Sequence, residues 1–400
     1  MSFIVIETRA VGVRSRLRAG LLGTCCVAAL GLSAGGASAQ SLANCETGST
    51  TDGSGRSCDI PEGAAVSGAQ VFYTGPQAPS SDDRDAIQAG AYALSNRAIL
   101  SGPAAPGQFA VLGVQARGGQ GSNEGSDAGV SGAGGVVTVE NFAALTLTDL
   151  LFSANSGAGA VPGMWSRDRV IYGIHAAGIG GQGINAKSQT IGGGDGGHGG
   201  AGGNASVANR GAILLGAGAA DDGGPRVGAI GILSSSTGGD GGQRDTTAGE
   251  DPRGGNGGDA KVVQVTNVAS IQVCGATVEG CETGDRALRD VAAGIFAQSM
   301  GGRGANPTSS GGNGGLVDVR NEGDITVNAL VERDGGAWGI YAASQAGYAS
   351  IDSVSNGVPG GAGGDSKKVT VGHDGAIVLR AGDFDAPQAQ TIDRACVDGA

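Results

Sequence analysis

The sequence predicts an all-β solenoid, a parallel β-helix in which short strands stack coil upon coil. Residues 294–325 define the repeating unit, in which a short apolar strand, a glycine-rich excursion and a second strand follow one another. In the second strand Val317, Val319 and Asn321 recur at every other position, the period of a strand with one buried face. The same unit recurs four more times between residues 113 and 379. Such recurrence is the signature of a stacked repeat architecture.

Composition sets the limits of this interpretation. Of 400 residues 82 are glycine and only 4% are aromatic, so small residues must pack the core. Collagen is excluded because glycine has no strict three-residue period, and disorder is disfavoured by an apolar content of 40% in ordered blocks. A formal net charge of -12 argues against nucleic acid or an anionic membrane as a partner.

Residues 1–39 have the pattern of a signal peptide. Arg14, Arg16 and Arg18 precede an apolar run over residues 21–32, and residues 37–39 read Ala-Ser-Ala, a small-x-small cleavage site. A membrane anchor is the alternative, but the run is shorter than the roughly 20 residues that span a bilayer. We therefore expect export through the inner membrane, to the cell surface, outer membrane or medium.

Five cysteines remain after residue 39. In an oxidising compartment the close pairs Cys45/Cys58 and Cys274/Cys281 are best interpreted as two local disulfide loops. Unpaired thiols are the alternative, and zinc is less well supported because no CxxC motif or histidine cluster accompanies them. Cys396 is left without an obvious partner.

Residues 40–110 are expected to form an N-terminal cap with irregular structure. The repeat boxes are not recognisable there, turn-rich runs are frequent, and residues 82–93 suggest a short helix. Its expected role is to cover the first open coil. Residues 111–400 form the predicted repeat region.

The strand box appears five times in the repeat region, as VVTVENFAAL, ASVANRGAI, VVQVTNVASI, LVDVRNEGDI and KVTVGHDGAI. Asn141, Asn209, Asn267 and Asn321 occupy one position of the box, and His373 occupies it in the last copy. The intervals between them are 68, 58, 54 and 52 residues. Because a triangular coil takes roughly 18 to 25 residues, each interval is expected to span two or three coils.

A second box, GIFAQSMGG in the defining unit, alternates with the first. If Ile295, Ala297 and Ser299 point inward, Phe296 points outward, and His175, Leu233 and Tyr341 take the equivalent outward place. The outward aromatics form a candidate contact patch, with ordinary surface packing as the alternative. The candidates are Phe296, Trp338 and Tyr341.

Glycine tracts such as residues 192–203 separate the boxes. We expect them to be loops that tolerate insertion, since glycine lets the backbone turn freely. Two tracts approach a calcium-binding nonapeptide at Asp259 and Asp365, but Lys261 and Lys367 stand where an apolar residue is needed. A phosphate-binding loop is excluded because no GKS or GKT follows a tract.

No catalytic arrangement is recognisable. The three histidines lack metal-ligand spacing, no GxSxG elbow occurs after residue 39, and the carboxylates are scattered. We therefore predict no enzymatic activity and no cofactor.

The combination of GIxAxSxGG boxes, GGxGG tracts and VxVxNxGxI strands behind an export signal resembles the passenger region of a bacterial autotransporter, a type V secreted protein. The resemblance covers residues 111–379 and implies a right-handed parallel β-helix outside the outer membrane, serving adhesion, aggregation or biofilm formation. Expected partners are host or sister-cell surface ligands.

An autotransporter is held in the outer membrane by a C-terminal barrel, which these 400 residues do not include. The resemblance therefore leads us to expect that they are the front part of a longer protein. The alternatives are a calcium-dependent secreted repeat protein and an enzymatic passenger with an unrecognised site.

Overall fold

The structure is a computed structural model of the 400-residue chain. It describes residues 2–6, 55–64, 69–74, 86, 88–102, 110–121, 129–147, 170–185, 196–216, 228–243, 254–274, 291–305, 309–329, 336–349 and 362–381. These residues form twenty strands in three sheets, so the predicted parallel β-helix is confirmed. Among them there is no helix long and apolar enough to cross a membrane.

Sheet A contains the strands of the GI box. It is formed by β3 (Ala69–Thr74), β6 (Ala110–Arg117), β9 (Val170–Ile179), β12 (Gly228–Thr237), β15 (Val291–Met300) and β18 (Gly336–Gln345). These strands are parallel. A seventh strand, β1 (Ser2–Ile6), pairs antiparallel with β18. Part of the segment predicted to be a signal peptide is thus a strand at the edge of sheet A.

Sheets B and C contain the two halves of the strand box. Sheet B is formed by β2 (Arg56–Ile60), β4 (Tyr92–Asn96), β7 (Val137–Asn141), β10 (Ala205–Asn209), β13 (Val263–Asn267), β16 (Val317–Asn321) and β19 (Val369–His373). Sheet C is formed by β5 (Leu100–Gly102), β8 (Leu145–Leu147), β11 (Ile213–Leu215), β14 (Ile271–Cys274), β17 (Ile325–Ala329) and β20 (Ile377–Ala381). Every strand pair within these two sheets is parallel.

Each interval between successive asparagines is a single coil. Asn141 pairs directly with Asn209, and Asn209 pairs directly with Asn267. The prediction of two or three coils per interval is therefore wrong. A coil here is longer than a minimal triangular one because it contains three strands, a glycine excursion and long connections between them.

The core lies between the three sheets and is built from small and branched side chains. Val319, Ile325 and Ile295 come from sheets B, C and A, and none of them is accessible to solvent. The inward assignment of Val317 and Ala297 is confirmed in the same cluster. Because equal positions stack, each side chain meets its counterparts from neighbouring coils, which gives tight packing without large residues.

The glycine that opens the GI box in β9, β12, β15 and β18 resets the alternation of sheet A, and Val111 takes the same position in β6. Gly231 and Gly294 are omitted from the pairing register, in which Ile230 pairs with Ala293 and the next pair is Ile232 with Ile295. A methyl group on Gly294 would overlap Cγ2 of Ile325 in sheet C. Glycine is therefore required where this position of sheet A faces an isoleucine of sheet C.

The stack begins before residue 111. Leu94 and Asn96 of β4 pair with Val139 and Asn141 of β7, so YALSNRAIL is a further strand box that we did not recognise in the sequence. Tyr92 begins a strand where the sequence suggested the end of a helix. Tertiary pairing prevails here over local propensity, and the irregular cap cannot extend to residue 110.

The glycine tracts form a packed layer of their own, which we call the glycine layer. Each glycine tract has two segments. The outgoing arm follows the strand of sheet A, and the returning arm leads into the next strand of sheet B. The amide of each glycine donates to the carbonyl of the preceding glycine in the series, at 2.8–3.0 Å, so that outgoing and returning arms alternate along the stack. The series runs through Gly119, Gly132, Gly181, Gly200, Gly239, Gly258, Gly302, Gly312, Gly347 and Gly364.

Hydrogen bonds repeat every third residue along each arm. Gly238 and Gly241 donate to the next outgoing arm, whereas Gly239 and Gly242 donate to the preceding returning arm. Three residues per turn is the period of the polyproline II helix, whose backbone groups bond only to neighbouring chains. The expectation of loops that tolerate change is therefore wrong for residues 196–203, whose glycines pack against backbone on both sides.

Candidate functional site

In a stack, a candidate site is a row of equivalent side chains rather than a single cluster. The inward polar row is formed by Asn96, Asn141, Asn209, Asn267 and Asn321 and ends at His373. All five asparagines are buried. We call this row the asparagine ladder.

The asparagine ladder is a continuous chain of amide hydrogen bonds. Nδ2 of Asn141 donates to Oδ1 of Asn209 at 2.7 Å, and Nδ2 of Asn209 donates to Oδ1 of Asn267 at 2.6 Å. Each amide also donates to the carbonyl two residues further on, as Asn209 does to Gly211 at 2.9 Å. Both amide protons and the amide oxygen are thereby used, so a polar row is accommodated in an apolar core.

His373 terminates the asparagine ladder. Nδ2 of Asn321 donates to Nδ1 of His373 at 2.8 Å, so the imidazole accepts the hydrogen bond that the next asparagine would otherwise accept. His373 is half-buried, because β19 is the last strand of sheet B among the described residues. The repeated asparagines were visible in the sequence, but their bonding became clear only once each interval proved to be one coil.

The predicted contact residues lie on the outer face of sheet A and are mostly buried. Phe296 is 2% exposed, Tyr341 is 8% exposed and Trp338 is half-buried. The rings of Phe296 and Tyr341 stack with centroids 4.3 Å apart, and Trp338 meets both edge-on. They belong to a cluster separate from the core, on the outer face of the sheet, and their burial favours the alternative of surface packing.

Burial on the outer face of sheet A also shifts the pKa of the titratable side chains there. Desolvation raises the pKa of Tyr341 to about 12 and raises the pKa of Tyr172 beyond its usual range. His175 lies in the same outward row of sheet A as Tyr341, and its ring is 5.1 Å from that of Tyr172. Burial lowers the pKa of His175 to about 4, so this imidazole is neutral at physiological pH.

The cysteine predictions are tested only in part. Cys58 is disulfide-bonded and buried at the start of the stack. Its predicted partner Cys45 lies outside the described residues. Cys274 ends β14, whereas Cys281 and Cys396 are not described, so the second pairing stays a prediction.

Polar residues between the glycines form bonded rows along the glycine layer. Oδ1 of Asp259 accepts from the amide of Asn313, and Oδ1 of Asn313 accepts from the amide of Asp365, at 2.7 and 2.8 Å. The candidate calcium residues thus lie one coil on either side of Asn313. In the described part of the chain no three His, Cys, Asp or Glu side chains lie close enough together to hold a metal ion.

An exposed row follows the asparagine ladder at the turn between sheets B and C, and we call it the turn row. Its members are Arg97, Phe142, Arg210, Val268, Glu322 and Asp374, each directly after a ladder residue. The guanidinium carbon of Arg97 lies 5.4 Å from the centroid of the Phe142 ring, and that of Arg210 lies 5.2 Å from it. The ring is thus flanked by two cations from the coils on either side. This arrangement is invisible until the register is known.

Comparison of the chain with protein-family models, with curated proteins and with solved structures finds no match.

Proposed function

We propose that this chain is an exported cell-surface scaffold, the passenger region of an autotransporter, whose rigid stack presents side-chain rows for adhesion. It would contact host or sister-cell surface ligands and be held in the outer membrane by a C-terminal barrel outside this chain. No catalysis and no cofactor are part of the proposal.

One observation carries the proposal. The inward rows repeat almost unchanged, with valine and asparagine paired in register from coil to coil, whereas the outward positions of the same strands vary freely. At one outward position of sheet B, for instance, Ser206, Gln264 and Asp318 are neighbours. A rigid rod with a constant interior and variable outer rows is suited to presenting extended contact surfaces.

The test is binding by the exported protein. The purified chain is applied to immobilised matrix proteins and to sister cells, with an acidic globular protein of similar net charge as the control. Saturable binding above that control supports the proposal. Absence of binding to every surface, or a hydrolase activity that one point substitution abolishes, would refute it.

A further inference from the structure

The turn row carries a cationic and aromatic element in an otherwise acidic chain. Phe142 is 38% exposed, and Arg97 and Arg210 are exposed on the coils above and below it. Next to Arg97 in the same turn, Ile99 is 72% exposed. Three neighbouring coils thus present two guanidinium groups, one aromatic ring and one aliphatic side chain to solvent.

The two cations are available for a ligand. Within the described residues neither guanidinium is paired with a carboxylate, and each instead stacks on the Phe142 ring. Cation–π stacking restricts the arginine side chains and leaves the donor edges of their guanidinium groups free. The only carboxylate close to them in sequence is Glu140, which points outward from β7 two residues before Phe142.

Further along the row the charge changes sign. Arg320 forms an ion pair with Glu322 at 2.7 Å, and Asp374 follows in the last described coil. An anion is therefore attracted to one end of the turn row only. A partner that carried charge along the whole length of the stack would be repelled by the acidic end.

The spacing identifies the ligand class. Neighbouring coils are separated by the distance between parallel strands, so Arg97 and Arg210 lie two coils, or roughly 10 Å, apart. That separation is close to one disaccharide step in a pyranose polymer. A carboxylate on every second sugar meets both guanidinium groups, and the sugar between them meets the exposed edge of the Phe142 ring, because the two guanidinium groups flank its faces.

We propose that Arg97, Phe142 and Arg210 form a binding site for an anionic polysaccharide with a carboxylate on alternating sugars. The proposal deepens the adhesive function above and rests on it, because it names the ligand of one surface row. Nucleic acid is disfavoured by the net charge of the chain and by the absence of further basic residues in this row.

The experiment measures binding of the full chain to hyaluronan, with the neutral glucan dextran and single-stranded DNA as comparisons. Hyaluronan is expected to bind, with an affinity that falls as salt rises, and dextran is expected not to bind. Arg97→Gln and Arg210→Gln should each weaken binding about three- to fivefold, and the double substitution about tenfold or more. Phe142→Leu should weaken binding about fivefold without changing the salt dependence, because it removes no charge.

Arg320→Gln is the matched control, since it also removes one exposed cation, but one that pairs with Glu322 at the acidic end of the turn row. It should leave hyaluronan affinity unchanged within about twofold. All four positions are exposed, so circular dichroism should be the same for every variant. The proposal is overturned if hyaluronan does not bind, if Arg320→Gln weakens binding as much as Arg97→Gln, or if DNA binds as tightly.

Adhesion to cells is measured in parallel to separate the two proposals. If the Arg97→Gln/Arg210→Gln chain adheres as strongly as the unaltered chain, this site is wrong while the scaffold function stands. If the unaltered chain adheres to no surface, the scaffold function fails by itself.

Discussion

Replacing Asn209 by alanine tests the asparagine ladder at its centre. Asn209 accepts one hydrogen bond from Asn141 and donates one each to Asn267 and to the carbonyl of Gly211. Alanine removes all three bonds at once. No water can replace them at low cost, because Asn209 and both neighbouring asparagines are buried.

The magnitude follows from what is left behind. One amide proton of Asn141, the Oδ1 atom of Asn267 and the carbonyl of Gly211 each lose a partner. An unsatisfied buried polar group costs about 1–3 kcal/mol, so the loss of three partners should lower the free energy of unfolding by about 3–9 kcal/mol. Thr266→Ala is the control, because Thr266 lies on the exposed face of the neighbouring strand and should change stability by less than about 0.5 kcal/mol.

Two measurements check this expectation. Denaturant unfolding followed by circular dichroism gives the change in unfolding free energy. Hydrogen exchange of the amides in β10 and β13 reports local opening, which matters because coils of a solenoid unfold in separate groups. A loss below about 1 kcal/mol with unchanged exchange would show that the ladder does not hold the coils together.

Three further substitutions test other parts of the stack. Gly239→Ala should prevent native packing of the glycine layer, since its methyl group would overlap the carbonyl of Gly181. Gly372→Ala is the control, because its methyl group meets open space and should not change stability. Equal protease resistance of the two variants would contradict this expectation. Val319→Asp places a charge in the sealed core and should unfold neighbouring coils, which a native circular dichroism spectrum would disprove. Because burial lowers the pKa of His175 from 6.5 to about 4, the unfolded chain binds the proton more tightly, so stability should fall by about 1.4 kcal/mol per pH unit from pH 6.5 down to about pH 4. His175→Leu, which copies Leu233 in the next coil, should remove this slope in unfolding measured against pH, and an unchanged slope would refute the assignment.

Sequence periodicity predicted the fold class and the inward faces because both depend on local alternation. Val317, Val319 and Ile325 were assigned correctly, since a two-residue period leaves no choice of face once one side is buried. The number of coils could not be predicted in the same way. The number of coils depends on which asparagines pair with each other. The sequence of a strand does not show how long the connection to its pairing partner is.

The outer face of sheet A and the glycine layer have features that local sequence patterns do not predict. Phe296 was correctly placed on the outer face, but the rings that pack on it, Trp338 and Tyr341, belong to the next coil. Gly200 and Gly239 appeared to be loop residues because glycine usually serves turns. Their actual role is to form hydrogen bonds between the arms of successive coils. To predict this role, the three-residue period has to be compared between glycine tracts rather than within one tract.

The asparagine ladder also positions the proposed polysaccharide site, which leads to the last prediction. Asn96 and Asn141 each donate to the carbonyl two residues further on, at 2.9 and 2.8 Å, and thereby hold the turns that carry Arg97 and Phe142. Asn141→Ala should therefore weaken hyaluronan binding about fivefold, although Asn141 is buried beneath the surface.

Asn267→Ala is the matched control for that substitution. It breaks the same ladder with a similar loss of stability, but it lies under Val268, outside the proposed site. Hyaluronan affinity is compared at a temperature where both variants are folded. Because both lose equivalent bonds, equal weakening by the two would mean that binding follows overall stability, and positioning of Phe142 by the ladder would be ruled out. Weakening by Asn141→Ala alone would show that a constant interior holds the variable outer row in its binding geometry.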